Sequence, residues 1–176
     1  MDDKKEKTEK AAVINFLRNI TEDNLEKLED NNPIDIFCKT TGQKFQIKRV
    51  PADEIEIANV LNIRATFKNE NFEGAKTKYG KMWSNLDPSK DPLEIYVVDP
   101  INEIFLHYGK NNLTLQNIIL LLFVEQGFII PMNKKYLETF KTNRKEFLKE
   151  AGFKEIYLLD SKNTIKIYHL IKKNNN

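Results

Sequence analysis

Apolar and polar positions alternate most clearly between Pro33 and Val50, PIDIFCKTTGQKFQIKRV. Ile34, Ile36 and Cys38 alternate with Asp35, Phe37 and Lys39, and Phe45 and Ile47 alternate with Lys44, Gln46 and Lys48. Period two on both arms of Thr40-Thr41-Gly42-Gln43 predicts a β-hairpin with one buried face. With Thr41-Gly42 at the tip, or with all four residues as the loop, Asp35 faces Lys48, Ile36 faces Ile47 and Phe37 faces Gln46. A slip of one residue would carry charge onto the apolar face, so this pairing is the expected one.

Ahead of the hairpin, residues 1–8 read as a charged, mobile tail, and Ala12, Val13, Phe16, Leu17 and Ile20 mark one face of a helix from Glu9. Thr21, with Glu22 and Asp23 behind it, predicts a second short helix carrying Leu25 and Leu28, ended by Asn31-Asn32-Pro33. After the hairpin, Asp53 and Glu54 open a helix with Ile55, Ala58 and Leu61 inward, and residues 68–88 read as a loop followed by a short helix. The near-continuous run LEIYVV over 93–98 predicts an internal strand, which Asp99-Pro100-Ile101-Asn102 turns back into a second strand over 103–108. Residues 109–112 are the expected boundary. Beyond it the pattern predicts an apolar helix over 114–126, a basic helix over 133–151 stopped by Gly152, and a closing hairpin of 155–159 with 164–171.

These elements describe an α/β or α+β protein: a mixed central sheet flanked by helices, with a carboxyl-terminal helical and β-hairpin extension. The expected divisions are a tail over 1–8, a core over 9–110, an extension over 113–171 and a tail over 172–176.

A chain of 176 residues with 40% hydrophobic content can bury one sizeable core. Its single cysteine, Cys38, excludes an internal disulfide framework and fits a reducing compartment, so a cytoplasmic location is expected. Lying on the apolar face of the hairpin, Cys38 reads as a small core residue rather than a nucleophile. The charged amino terminus does not resemble a signal peptide, and the longest apolar run, Ile118–Val124, is too short to cross a bilayer, so no membrane partner is expected. Net charge is only +2, but residues 1–35 hold six basic and ten acidic side chains, whereas 61–90 hold six and three and 133–176 hold eleven and five. Two basic zones suit a polyanionic partner; a solvated lysine-rich surface is the plainer explanation. Phosphate-binding glycine loops and serine-hydrolase elbows are absent from the sequence, and neither His107 nor His169 has a Cys, Asp or second His at ligand spacing.

The polar face of the hairpin gathers Asp35, Gln46 and Lys48. A carboxylate beside a side-chain amide oxygen can ligate a hard divalent cation such as Mg²⁺. A neighbouring ammonium can orient a water or offset charge developing on a phosphate, which suits metal-assisted phosphodiester hydrolysis. On these residues, Pro33-Ile34-Asp35-Ile36-Phe37, a short turn and Phe45-Gln46-Ile47-Lys48, the chain resembles the PD-(D/E)xK nuclease superfamily of restriction endonucleases and Holliday-junction resolvases. The resemblance implies a restriction-endonuclease-like core over roughly residues 9 to 108, with Asp35 as metal-binding acid and Lys48 as catalytic lysine. Gln46 stands in place of the second acid, and Ile34 separates the proline from the aspartate. An amino-terminal helix acid completes the site in many members; Glu9 matches best by position, ahead of Glu6 and Glu26. It further implies Mg²⁺ or Mn²⁺ as cofactor, DNA as partner, and the homodimeric state common among such nucleases, although no interface is readable.

Basic residues that would then meet nucleic acid are Lys44 and Arg49 on the hairpin, Lys76, Lys78 and Lys81 near Tyr79 and Trp83, and Lys141, Arg144 and Lys145 in the carboxyl-terminal part. There the order of helix, basic helix and hairpin also matches the latter part of a winged helix-turn-helix. Two alternatives stand beside the nuclease: a non-catalytic nucleic-acid-binding or regulatory module, and a surface hairpin in which Asp35 and Lys48 form an ordinary ion pair worth about 0.2–1 kcal/mol.

Overall fold

The structure is a computed structural model that describes residues 3–28, 32–50, 93–109, 114–124, 134–160 and 162–170. The helix expected over 53–63, the segment 68–88, and with it Lys76, Lys78 and Lys81, lie outside the described residues.

The first helix, α1 (Asp3–Leu17), begins well before Glu9, so residues 3–8 are helical rather than a loose tail. No glycine or proline interrupts the segment, and Lys10 pairs with Glu6 one turn back at 2.8 Å. Ala12 and Val13 are wholly buried, and the helix ends where Arg18 takes φ +64°. The short helix expected from Thr21 is a single 3₁₀ turn, Glu22–Asn24, after which the chain extends as β1 (Leu25–Lys27). Pairing of Leu25 with Cys38 and Lys27 with Ile36 supplies hydrogen bonds and burial that a two-turn helix on this edge would lack.

The hairpin forms from β2 (Ile36–Cys38) and β3 (Lys44–Val50), but its register is shifted by two residues: Ile36 faces Phe45 and Phe37 faces Lys44. The loop is therefore Lys39 to Gly42, closed by Cys38 N–H donating to the Gln43 carbonyl at 2.9 Å and Gly42 N–H donating to the Cys38 carbonyl at 2.8 Å. Gly42 sits at φ +67°, where a side chain would be strained. A shift of two leaves every residue on its own face, so alternation alone cannot separate the two registers.

The hairpin expected over 93–108 is helical. A π-helical stretch, Glu94–Val98, runs into α2 (Asp99–Tyr108), burying Val97, Ile101 and Ile104. Leu93, Val97, Ile101 and Ile104 recur at three- and four-residue spacing, and Pro100 stands just after the π-helical stretch, in the first turn of α2. The apolar helix expected over 114–126 is a strand, β4 (Ile118–Val124), with six of its seven residues buried.

The basic segment forms two helices, α3 (Lys134–Asn143) and α4 (Lys145–Ala151), the second closed by Gly152 in the left-handed conformation. The expected hairpin follows as β5 (Glu155–Leu159) and β6 (Thr164–His169).

Among the described residues, six strands make one mixed sheet in the order β1-β2-β3-β4-β5-β6. β3, β4 and β5 run parallel, and the outer pairings are antiparallel. The fold is α/β, with helices covering both faces of the sheet. Ile119 and Leu121 pack with Phe45 and α1 on one face, while Ile118, Leu120 and Leu122 pack with Ile101, Phe140 and Leu148 on the other. Because β4 lies at the centre of this sheet, β5 and β6 extend the same sheet that β1, β2 and β3 begin.

Candidate functional site

Where α1, the residues before β2, β3 and α2 meet, a cleft of about 430 Å³ opens, lined among others by Glu9, Asp35, Gln46, Lys48, Glu103 and Tyr108. The two-residue shift in register determines its chemistry. It sets Gln46, not Lys48, beside Asp35, and the Gln46 Nε2 donates to Asp35 Oδ2 at 2.8 Å. The Ile47 N–H donates to the same oxygen at 2.7 Å. Asp35 thus accepts two fixed hydrogen bonds on one oxygen and directs its second oxygen elsewhere.

That second oxygen, Oδ1, lies 3.5 Å from Nζ of Lys27. Lys27 also contacts Glu9 Oε2 at 2.5 Å. The side chains of Lys27, Glu9 and Asp35 are 7%, 6% and 11% exposed, so one ammonium serves two buried carboxylates. Burial pushes the Asp35 carboxyl up to about 6; the Ile47 N–H opposes the rise and the nearby Glu9 charge adds to it. Burial alone would lower the Lys27 ammonium, but Glu9 and Asp35 together hold it above its ordinary value. Gln46 has spent its N–H₂ on Asp35, and its Oε1 is buried without a hydrogen-bond partner among the described residues. An unpaired buried acceptor costs about 1–3 kcal/mol.

On the neighbouring wall Lys48 reaches α2 instead of Asp35, its Nζ 2.7 Å from Glu103 Oε2. The expected Asp35–Lys48 ion pair therefore gives way to two separate pairings, Lys27 with the acids and Lys48 with Glu103. Lys5, Arg49 and His107 also line the cleft, and Tyr108 Oη donates to the Asn32 carbonyl at 3.3 Å, tying the end of α2 to the turn before β2.

The structure brings Glu9, Asp35, Gln46, Lys48 and Arg49 together and, among the described residues, leaves the other candidates apart. Glu6 pairs with Lys10, and Glu26 is exposed on β1. Lys44 is exposed at the start of β3. Arg144 binds Glu94 through a 2.6 Å contact and Lys141 pairs with Glu138 at 3.1 Å, while Lys145 is exposed on α4; none of the three lines the cleft. Sequence reasoning missed Lys27 and Glu103, because their segments read as a helix and a strand respectively. The helical spacing from Leu93 to Ile104 is a signal that could have found Glu103.

Among the described residues no three His, Cys, Asp or Glu side chains cluster in metal-binding geometry, and no helix is long and apolar enough to cross a membrane. Compared with known proteins, the chain matches no family model, and no curated protein or solved structure is significantly similar to it.

Proposed function

We propose that the protein is a divalent-metal-dependent nuclease that hydrolyses phosphodiester bonds in DNA, with a site of the PD-(D/E)xK type. The observation carrying this reading is the convergence of Glu9, Asp35, Gln46 and Lys48 on one cleft from three separate parts of the chain. The donors suit Mg²⁺ or Mn²⁺. Asp35, Glu9 and the unpartnered Gln46 Oε1 are all hard oxygens, Mg²⁺ commonly takes one or two carboxylates and completes its shell with water, and the two acids already share a cation in Lys27. When bound there, the metal would offset phosphate charge and acidify a water.

The chain's own residues supply the rest. Asp35 is held rigidly by the Ile47 N–H and Gln46 amide, so a ligand oxygen is positioned in advance. Lys48, freed from Glu103, would place its ammonium against the attacked phosphate or its water. Lys5 and Arg49 on the cleft walls and exposed Lys44 on the same strand offer charge to flanking phosphates.

The test is cleavage of plasmid and branched DNA with Mg²⁺ or Mn²⁺. Lys48→Ala is expected to lower the rate about 10²–10³-fold, the usual loss when one donor to developing charge is removed, and Asp35→Ala to lower it at least as far. Cleavage that persists in both variants sinks the assignment. A second reading, a non-catalytic nucleic-acid-binding module, is favoured by the Lys48–Glu103 pairing, which occupies the expected catalytic amine. It predicts salt-sensitive DNA binding with no cleavage under either metal.

A further inference from the structure

We infer that Lys27 is an internal cation that holds the place of the divalent metal between Glu9 and Asp35 and sets the site's metal affinity by competing for it. The proposal rests on reading the cleft as a metal site.

Lys27 Nζ touches Glu9 Oε2 at 2.5 Å and lies 3.5 Å from Asp35 Oδ1, and the three side chains are nearly solvent-free. Two carboxylates and the Lys27 ammonium fill that enclosure, Lys5 stands 3.9 Å from Glu9 Oε1 at its more exposed edge, and Gln46 Oε1 is a further, unsatisfied acceptor. Such oxygens suit a metal cation, but the Lys27 ammonium already contacts both acids. A divalent ion on both carboxylates would share a poorly screened space with a like charge a few ångströms away, which opposes binding strongly. The lysine stem is long and rotatable, so the ammonium can withdraw while its backbone stays paired in β1 opposite Ile36. Glu9 and Asp35 would then be handed from Lys27 to the metal, and the carboxylates would never be left without a cation.

Lys27 is accordingly a positioning residue that tunes affinity, and its replacement has a readout apart from activity. Mn²⁺ is titrated into the full-length protein and free Mn²⁺ followed by electron paramagnetic resonance, for the native protein, Asp35→Asn and Lys27→Met. The expected result is Mn²⁺ binding that Asp35→Asn abolishes and Lys27→Met tightens by about tenfold or more. Should Lys27→Met not fold, acylation of amines in the native protein decides: Lys27 is expected to become several-fold more reactive on saturation with Mn²⁺, with exposed Lys39 as the unchanging control. Mn²⁺ binding that depends on Asp35 but is no tighter in Lys27→Met, or that leaves Lys27 protected, overturns the proposal and spares the metal site. No Asp35-dependent binding in any form of the protein removes the metal site and this proposal with it.

Discussion

β3 and β4 lie side by side and parallel through seven paired residues, from Lys44 opposite Ile118 to Val50 opposite Val124, yet they share almost no chemistry. β4 reads IILLLFV and is covered by helices on both faces. β3 reads KFQIKRV; Phe45 and Ile47 face α1, while Gln46 and Lys48 turn toward the cleft. Both strands have a complete partner on one side, so backbone pairing is not what separates them. The difference is what covers each face. Apolar side chains from two layers make β4 a structural axis, whereas the meeting of α1, β3 and α2 leaves a gap that polar atoms fill. One sheet therefore holds a stable centre and, one strand away, a costly set of buried charges, a common division between scaffold and site.

Mutations at the centre should break this contrast most visibly. Leu121→Ala removes a wholly buried side chain from β4 and is expected to cost about 2–5 kcal/mol of unfolding free energy in chemical denaturation. Metal affinity of the folded fraction should not change, since Leu121 belongs to the core and not the cleft. An equal loss of stability from Lys48→Ala, whose side chain is 29% exposed, would mean that the two strands are not divided in this way.

The next effect concerns the charged strand alone. Asp35 carries a native value of about 6 against an ordinary 3.8, so the folded state binds its proton more tightly than the unfolded chain. As pH rises from 3.8 toward 6 the unfolded state loses its proton first, and stability falls by roughly 3 kcal/mol before levelling off. Asp35→Asn cannot ionise and should remove that fall, so the difference in stability between the two proteins should move in the variant's favour as pH rises through this range. Denaturation of both proteins across this range gives the difference directly; a difference that does not vary with pH would show that Asp35 is not held in so costly a place.

The smallest effect is expected at the rim. Glu103 pairs with Lys48 while 42% exposed, so Glu103→Gln should change stability by no more than about 1 kcal/mol. It should nonetheless raise DNA binding, by releasing Lys48 toward phosphate. A drop in binding would place Glu103 among the residues that hold the ligand.

Much of the scaffold was legible locally. The helical face of Ala12, Val13 and Phe16, the two arms of the hairpin, the basic helical stretch stopped by Gly152, and the strands either side of Asp160 all follow from periodicity and capping. Glu9, Asp35, Gln46 and Lys48 were legible as candidates because residue type and spacing marked them. β4 was not, because seven consecutive apolar residues have no period, and a buried helix and a buried strand read alike. α2 was obscured by the β-branched run before it, although its apolar spacing was helical.

What the sequence by itself determined was the parity of the hairpin: which side chains share a face depends only on alternation. Which residue stands beside Asp35 was settled by the loop of Lys39 to Gly42 and by the hydrogen bond from Ile47 N–H, since shifts of two residues preserve parity. Lys27 meets Glu9 and Asp35 only because β1 pairs with β2, and Glu103 meets Lys48 only because α2 packs beside β3. Charged contacts between segments far apart in the chain depend on distances that no local pattern encodes, and here those contacts, more than the motif, define the site.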